Sequence, residues 1–346
     1  MNWLNITADQ KDLRLLGRLD PEASPIALDW TGSGLEFRFQ GSNCWVELEA
    51  PAPAPLLWMI VLADGCPVGR FPVEPGCRFY PLLLGMEAEQ SRTVTLLKET
   101  QCMPDSPAAT VLLRSLRHDG RLLPLPPLSR KIEFIGDSLT SGEGALAPRD
   151  NPEWITPWFS ARANYSWVAC DVLRAERHVL SQSGWGVCWD WQHDAAHNMS
   201  DGYDLTVGVL QGPEAEARGC RKPWKFESWR PDIVCIRLLS NDANGMNTQN
   251  SFERDRDTVI EGCVSLIQKV RARNPEAHIV WILPGSTSHP ELGEAAVRVA
   301  GEKGIRNVSC FRLPDYTPED FGARAHPNAE WNRRAGLLLA DYLKTL

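Results

Sequence analysis

The hydrophobic pattern of this 346-residue chain changes period once, at the proline-rich run Leu122-Leu-Pro-Leu-Pro-Pro-Leu128, and that change constrains the fold more than any other feature. Upstream, apolar residues recur with period two or in short continuous runs. Leu35-Glu-Phe-Arg-Phe39 alternates, Trp45-Val-Glu-Leu48 follows a Gly41-Ser-Asn turn, and Leu56-Leu-Trp-Met-Ile-Val-Leu62 ends near an Asp64-Gly65 hairpin signal. Thr93–Leu97 and Thr110–Leu116 continue the series. Many short strands between Gly and Pro turns predict a β-sandwich. Proline fixes φ and lacks a donor, so the run at 122–128 reads as a connector between domains 1–128 and 129–346.

Downstream, strands alternate with helices. Lys131–Ile135, His178–Gln182, Pro231–Leu238, His278–Leu283 and Asn307–Arg312 read as strands. Helices are predicted over Asn164–Glu176, Phe252–Arg273, Glu291–Lys303 and Pro327–Leu346. The helix at Phe252 shows its apolar stripe at Val259, Ile260, Cys263, Leu266, Ile267 and Val270. Five such strands predict a parallel sheet covered on both faces, an α/β domain that binds its ligand beyond the carboxyl ends of the strands.

Composition narrows the partners. Net charge is −8 and no Lys/Arg-rich run exists, which excludes a nucleic-acid surface. No apolar run approaches the length of about 18 residues needed to span a membrane. The opening Met1–Thr7 has no basic or apolar signal region, and the ten cysteines contain no CxxC pair. The expectation is a cytoplasmic chain with reduced thiols, no metal and no organic cofactor. His193 and His197 form an HxxxH pair with Asp194 where a metalloprotease has glutamate, and a structural role is expected for both. A homo-oligomer is compatible with the sequence.

The chemistry-bearing residues fall at the carboxyl edge of the predicted sheet. The first strand runs into Gly136-Asp137-Ser138-Leu139, which exposes a serine that needs a base within hydrogen-bond reach. Ser138 could equally cap a helix. The second strand ends in Ser183-Gly184-Trp185-Gly186, whose backbone N–H groups can serve an oxyanion. The third ends in Ser240-Asn241-Asp242, where the Asn241 amide can do the same. His326 stands between the fifth strand and the last helix and could face the cleft.

Taken together these segments resemble the blocks of the SGNH, or GDSL, hydrolases: Gly136–Leu139 the first, Gly184 the second, Ser240–Asp242 the third and His326-Pro327 the last. Leu16-Gly-Arg18, Trp30–Ser33 and Ile135–Gly144 are similar to carbohydrate esterase family two, acetyl esterases with a β-sandwich before the hydrolase domain. The resemblance implies a flavodoxin-like five-stranded sheet behind a jelly-roll-like accessory domain. It also implies acyl transfer by Ser138 and His326, with the oxyanion held by Ser138 N–H, Gly184 N–H and the Asn241 amide. The substrate would be an O-acetylated sugar or plant-polysaccharide oligosaccharide. Trp185, adjacent to the oxyanion glycine, is the expected sugar platform, and Asp137 is expected to shape the loop. Two departures from the pattern stand out: Leu239 replaces the glycine of the third block, and Ala323 and Arg324 stand where an aspartate precedes the histidine. A Ser138–His326 dyad with a backbone carbonyl on the imidazole is therefore expected, with Asp320, Glu319 and Asp315 as alternative acids. The rival readings are a lipase or thioesterase on the same scaffold and a catalytically silent carbohydrate-binding protein.

Overall fold

The computed structural model describes residues 1–51, 56–285 and 288–346. They form two compact units, residues 1–127 with 210–222, and residues 128–209 with 223–346.

The first unit holds β1 (Asn2–Asn5), β2 (Leu13–Leu16), β3 (Ile26–Leu28), β4 (Gly34–Gln40), β5 (Cys44–Ala50), β6 (Leu57–Ala63), β7 (Cys66–Val73), β8 (Gly76–Leu83), β9 (Ser91–Lys98), β10 (Val111–His118) and β11 (Arg121–Leu123). One antiparallel sheet runs β1-β10-β5-β8 with β3 also on β10, and the other runs β11-β4-β9-β6-β7 with β2 on β4. Period-two alternation makes the sandwich. In β5, Cys44, Val46, Leu48 and Ala50 are buried while Trp45, Glu47 and Glu49 are half-buried. The inward set meets Phe37, Phe39, Met59, Val61, Val94 and Leu96 in one core. Each fully buried aliphatic or aromatic side chain there contributes about 1.5–3 kcal/mol. Sequence patterning does not find β7 and β8, because Pro67, Pro72 and Pro81 interrupt them. Both are end strands, where proline is tolerated. Leu122 and Leu123 of the connector pair with Phe39 and Arg38 as an edge strand, and the prolines follow outside the sheet.

The second unit holds β12 (Arg130–Gly136), α1 (Ser138–Ser141), α2 (Tyr165–Leu173) and β13 (Ala175–Ser181). After α3 (Pro213–Ala217), which belongs to the first unit, come β14 (Ile233–Arg237), α4 (Ser240–Gln249), α5 (Phe252–Arg273), β15 (His278–Leu283), α6 (Pro290–Glu302), β16 (Val308–Arg312) and α7 (Ala329–Leu343). The sheet order is β13-β12-β14-β15-β16, parallel throughout, which is the flavodoxin-like arrangement. Ile132, Phe134, Ile233, Cys235, Val280 and Ile282 turn one face of it toward α2 and α7. Helix α2 ends three residues before the predicted Glu176, because Arg174 adopts a left-handed C-cap at φ 50° and Ala175 onward joins the sheet. Among the described residues no helix is long and apolar enough to cross a membrane.

Residues 210–222 were expected in the α/β domain but pack with the sandwich. Arg218 donates to Asp29 Oδ1 at 3.4 Å and to the Pro107 carbonyl, and the Cys220 thiol lies 3.7 Å from Asp29 Oδ2. The same corner is clipped by Lys98, fully buried, whose amine donates to the carbonyls of Asp29, Thr100 and Gln101 at 2.6, 2.8 and 2.9 Å. The contacts to Asp29 and Pro107 are polar and distant in sequence, so hydrophobic periodicity carries no trace of them.

Candidate active site

The order of the parallel sheet reverses between β12 and β14, and the crevice at such a switch point is where open α/β sheets bind ligands. Gly136 pairs with Arg237 at the ends of these strands, so Ser138 and Ser240 leave the sheet side by side. Ser138 opens the short helix α1. Asp137 caps it, accepting from the Leu139 N–H at 3.1 Å. The other Asp137 oxygen takes Arg237 Nη1 at 2.7 Å, and the same nitrogen donates to Ser240 Oγ at 2.7 Å. Both members of this ion pair are buried, with side-chain exposures of 6% and 2%. Removing one partner would strand a buried charge at a cost of about 3–5 kcal/mol. Asp137 thus fixes the turn beneath the serine.

His326 lies across the crevice, after Arg324 and Ala325, which both take left-handed conformations at φ 52° and 57°. Its Nε2 is 2.6 Å from Ser138 Oγ. Its Nδ1 is buried and makes no hydrogen bond among the described residues. The expected backbone carbonyl is therefore not on the ring. Asp320 is not there either. It forms a capping box with the Thr317 N–H and hydroxyl at 2.8 and 2.9 Å, and pairs with Arg334. The carboxylate facing Nδ1 is Glu143, with Oε1 at 3.8 Å. Glu143 is 5% exposed and accepts from Ser183 Oγ at 2.6 Å and from Arg324 Nη1 at 3.1 Å. The turn bearing it approaches the histidine loop closely: a Cβ on Gly144 would stand 2.8 Å from the Ala323 carbonyl and 3.2 Å from His326 Cβ. Sequence reasoning looked upstream of the histidine and missed an acid five residues after the nucleophile. Its only signal was a glycine on either side, Gly142 and Gly144.

The second and third candidate segments are joined to each other. Asn241 Nδ2 donates to the Trp185 carbonyl at 3.0 Å. Asp242, fully buried, accepts from the N–H groups of Val187 and Cys188 at 2.8 Å each. Burial pushes the Asp242 carboxyl up to about 6, and these N–H groups pull it back. Gly184 is left-handed at φ 81°.

Leu239 takes the conformation that glycine favours, φ 94° and ψ −24°, with its side chain fully buried. It does not narrow the crevice. Relief of the left-handed strain in Leu239→Gly is worth about 1–2 kcal/mol, whereas loss of a buried leucine side chain costs about 2–5 kcal/mol. The variant is therefore expected to be less stable, by about 2 kcal/mol at the centre of these ranges. Chemical denaturation checks this, and a gain in stability would show that packing at Leu239 contributes little.

Trp185 differs from expectation. Its indole is 8% exposed and stacks on His197 at 5.3 Å, so it offers no open face. The exposed ring is Trp191, 50% exposed, whose Cδ1 would lie 3.0 Å from a Cβ on Gly184. His193 and His197 are not on a helix. His193 pairs with Asp255 at 2.9 Å and His197 with Asp190 at 3.0 Å. Asp190, Asp194 and His197 bring ligand-type atoms within 4.8 Å of one another, but Asp190 already accepts the N–H groups of Gln192 and Asp194 within that loop. Beside Ser138 lies a cavity of about 290 Å³, lined in part by Arg237, Ser240, Ser288, Tyr316 and Phe321.

No family model matches the chain. Over its whole length the fold superposes on the acetyl xylan esterase Est2A from Butyrivibrio proteoclasticus with a TM-score of 0.94 and 29% identity, covering 100% of this chain and 99% of that one. The architecture is a β-sandwich followed by an SGNH-type α/β domain. Among characterised sequences, Cellulase/esterase CelE of Acetivibrio thermocellus is 28% identical over 264 residues, which is 75% of this chain and 29% of CelE. This chain thus matches under a third of the length of that relative. The acetylxylan esterase / glucomannan deacetylase of Cellvibrio japonicus is 21% identical over 337 residues, 94% of this chain and 87% of that protein. Its structural neighbours include family two carbohydrate esterases from Clostridium thermocellum and Cellvibrio japonicus and a putative GDSL-like lipase from Bacteroides ovatus.

Proposed function

We propose that this chain is a serine esterase that removes O-acetyl groups from sugars or plant-polysaccharide oligosaccharides. The observation that carries the reading is the 2.6 Å contact between Ser138 Oγ and His326 Nε2 at the switch point of the sheet. Serine is a weak nucleophile until a base takes its proton, and this is the separation at which the transfer occurs. His326 accepts the Ser138 proton as Oγ attacks the acetyl carbonyl. The imidazolium then protonates the departing sugar hydroxyl, and water repeats the sequence to release acetate.

The oxyanion is assigned to the N–H groups of Ser138 and Gly184 and to the Asn241 amide. Asn241 Nδ2 carries two hydrogens. The one on the Trp185 carbonyl fixes the side chain, and the other is left for the oxyanion. Glu143 supplies the negative charge that favours the imidazolium. No step requires a metal or organic cofactor.

The small size of the cavity supports a short acyl group over a long chain, which favours this reading over a lipase. The serine–histidine contact supports hydrolysis over silent binding. Acetate release from acetylated xylo- and manno-oligosaccharides tests the proposal, and no release from any of them overturns it.

Trp191 takes the role of sugar platform that the sequence reading gave to Trp185. An exposed indole beside the oxyanion glycine can stack on a pyranose face. Trp191→Ala is expected to raise KM for an acetylated oligosaccharide about tenfold, as loss of about 1.4 kcal/mol would, and to leave KM for p-nitrophenyl acetate unchanged. Equal effects on both substrates would exclude a sugar contact.

A further inference from the structure

We propose that the outer face of the sheet β1-β10-β5-β8 is a second carbohydrate-binding site, which grips a neutral polysaccharide chain and takes no part in ester cleavage. The face is defined by register. Leu4, Val46, Leu48 and Leu116 point into the sandwich core. The residues between them point out, in one row Trp3, Arg117, Trp45 and Pro81, and in the next Asn5, Ser115, Glu47 and Phe79. The solvent face of an antiparallel sheet is normally polar. Here Trp3 is 56% exposed and Phe79 is 39% exposed, with Trp45 half-buried between their strands.

Trp3 and Phe79 come from the two end strands of this path, yet their rings meet edge to face at 5.3 Å and 74°. The face therefore curls inward, over the small Ser115. An edge-on phenyl ring holds the indole in one orientation and leaves an indole face open, the geometry a pyranose ring needs for stacking.

The polar groups are equally prepared. Glu47 accepts from Ser115 Oγ at 2.7 Å and from the Cys77 thiol at 3.3 Å, and Arg114 pairs with Glu49. Trp3 Nε1 donates to Asn5 Oδ1 at 3.3 Å. Positioned by one another, these groups keep further lone pairs and N–H hydrogens for hydroxyls. Glu47 and Glu49 offset Arg114 and Arg117, so the face has no net charge to recruit a polyanion or a polycation. A neutral polyol needs apolar rings together with donors and acceptors, and this surface offers all three. A second copy of the chain docking here would instead bury these charges without water, which costs several kcal/mol per ion.

The site does not depend on the esterase reading; only the polymers tried first follow from it. The test is affinity electrophoresis of the full chain in native gels containing soluble xylan or glucomannan. Ser138→Ala serves as background so that the polymer is not deacetylated. Retardation is expected, and Trp3→Ala/Phe79→Ala should weaken it at least tenfold in apparent affinity on one of the polymers, an effect on the order of two lost aromatic contacts. Arg117→Ala, at an exposed position, should weaken it on the same polymer and decides the matter if the double variant is unstable. With Ser138 restored, the double variant should turn over p-nitrophenyl acetate at the unaltered rate. The proposal is overturned if no polymer retards the chain, if both variants migrate like their parent, or if sedimentation shows that the substitutions dissociate an oligomer and leave retardation unchanged. Absence of acetate release with retardation intact would sink the esterase reading alone.

Discussion

Ser138→Ala leaves the fold intact and lowers ester hydrolysis by about 10⁴-fold or more, the loss expected when the nucleophile of a serine–histidine unit is removed. The fold survives because the turn is held by other atoms. Asp137 caps α1 and pairs with Arg237, and neither bond involves Ser138 Oγ. His326→Ala should be about as damaging, since without its base the serine oxygen keeps its proton. The double variant should be no worse than either single one, because residues that act as a unit are not additive. Kinetics on p-nitrophenyl acetate, with circular dichroism as the check on folding, measures all three. A fluorophosphonate probe should mark Ser138 alone, read by peptide mass spectrometry. Labelling of another serine, or a doubly substituted chain far below both single variants, would remove Ser138 and His326 from the centre of the mechanism.

The legible part of this molecule was whatever hydrophobic period and chain order encode. The strands that flank the site, β12 and β14, are short apolar runs bounded by turn residues. Parallel strands joined by helices leave their carboxyl ends on one edge. Ser138, Gly184 and Asn241 each stand just past the end of a strand, and that placement together with the block pattern singles them out. Contacts between loops that fold over one another are not encoded in this way. In the sequence Trp185 stands out as a platform because it adjoins the oxyanion glycine, and nothing there points to Trp191. Only the loop from 184 to 191, which turns Trp185 onto His197 and brings Trp191 over Gly184, distinguishes them. Leu239 looked like damage to the third block, but its backbone holds the left-handed conformation without a glycine and its side chain joins the core. Residues 210–222 join the first unit through ionic and sulfur contacts to Asp29, a pairing with no periodic signature. The acid beside His326 was invisible for the same reason: its position depends on the close approach of two turns.

That acid gives the second large effect. Glu143→Gln is expected to lower kcat by about 10²–10³ with little change in KM. At 3.8 Å from Nδ1, a carboxylate stabilises the imidazolium by about 4 kcal/mol at an effective dielectric of 20, equivalent to about a thousandfold in rate. Arg324, 3.1 Å from the same oxygen, offsets part of that, which sets the lower bound. A glutamine keeps the shape and an oxygen for Ser183, so a purely structural role would leave the rate nearly unchanged. Asp320→Asn should cost less than about tenfold, since Asp320 is committed to the Thr317 capping box and Arg334. If Glu143→Gln stays within tenfold of the parent, His326 works without a carboxylate and the pair is a dyad. A thousandfold loss in Asp320→Asn would instead require the histidine loop to rearrange before catalysis, because in the present arrangement Asp320 lies in a different hydrogen-bond network from the imidazole.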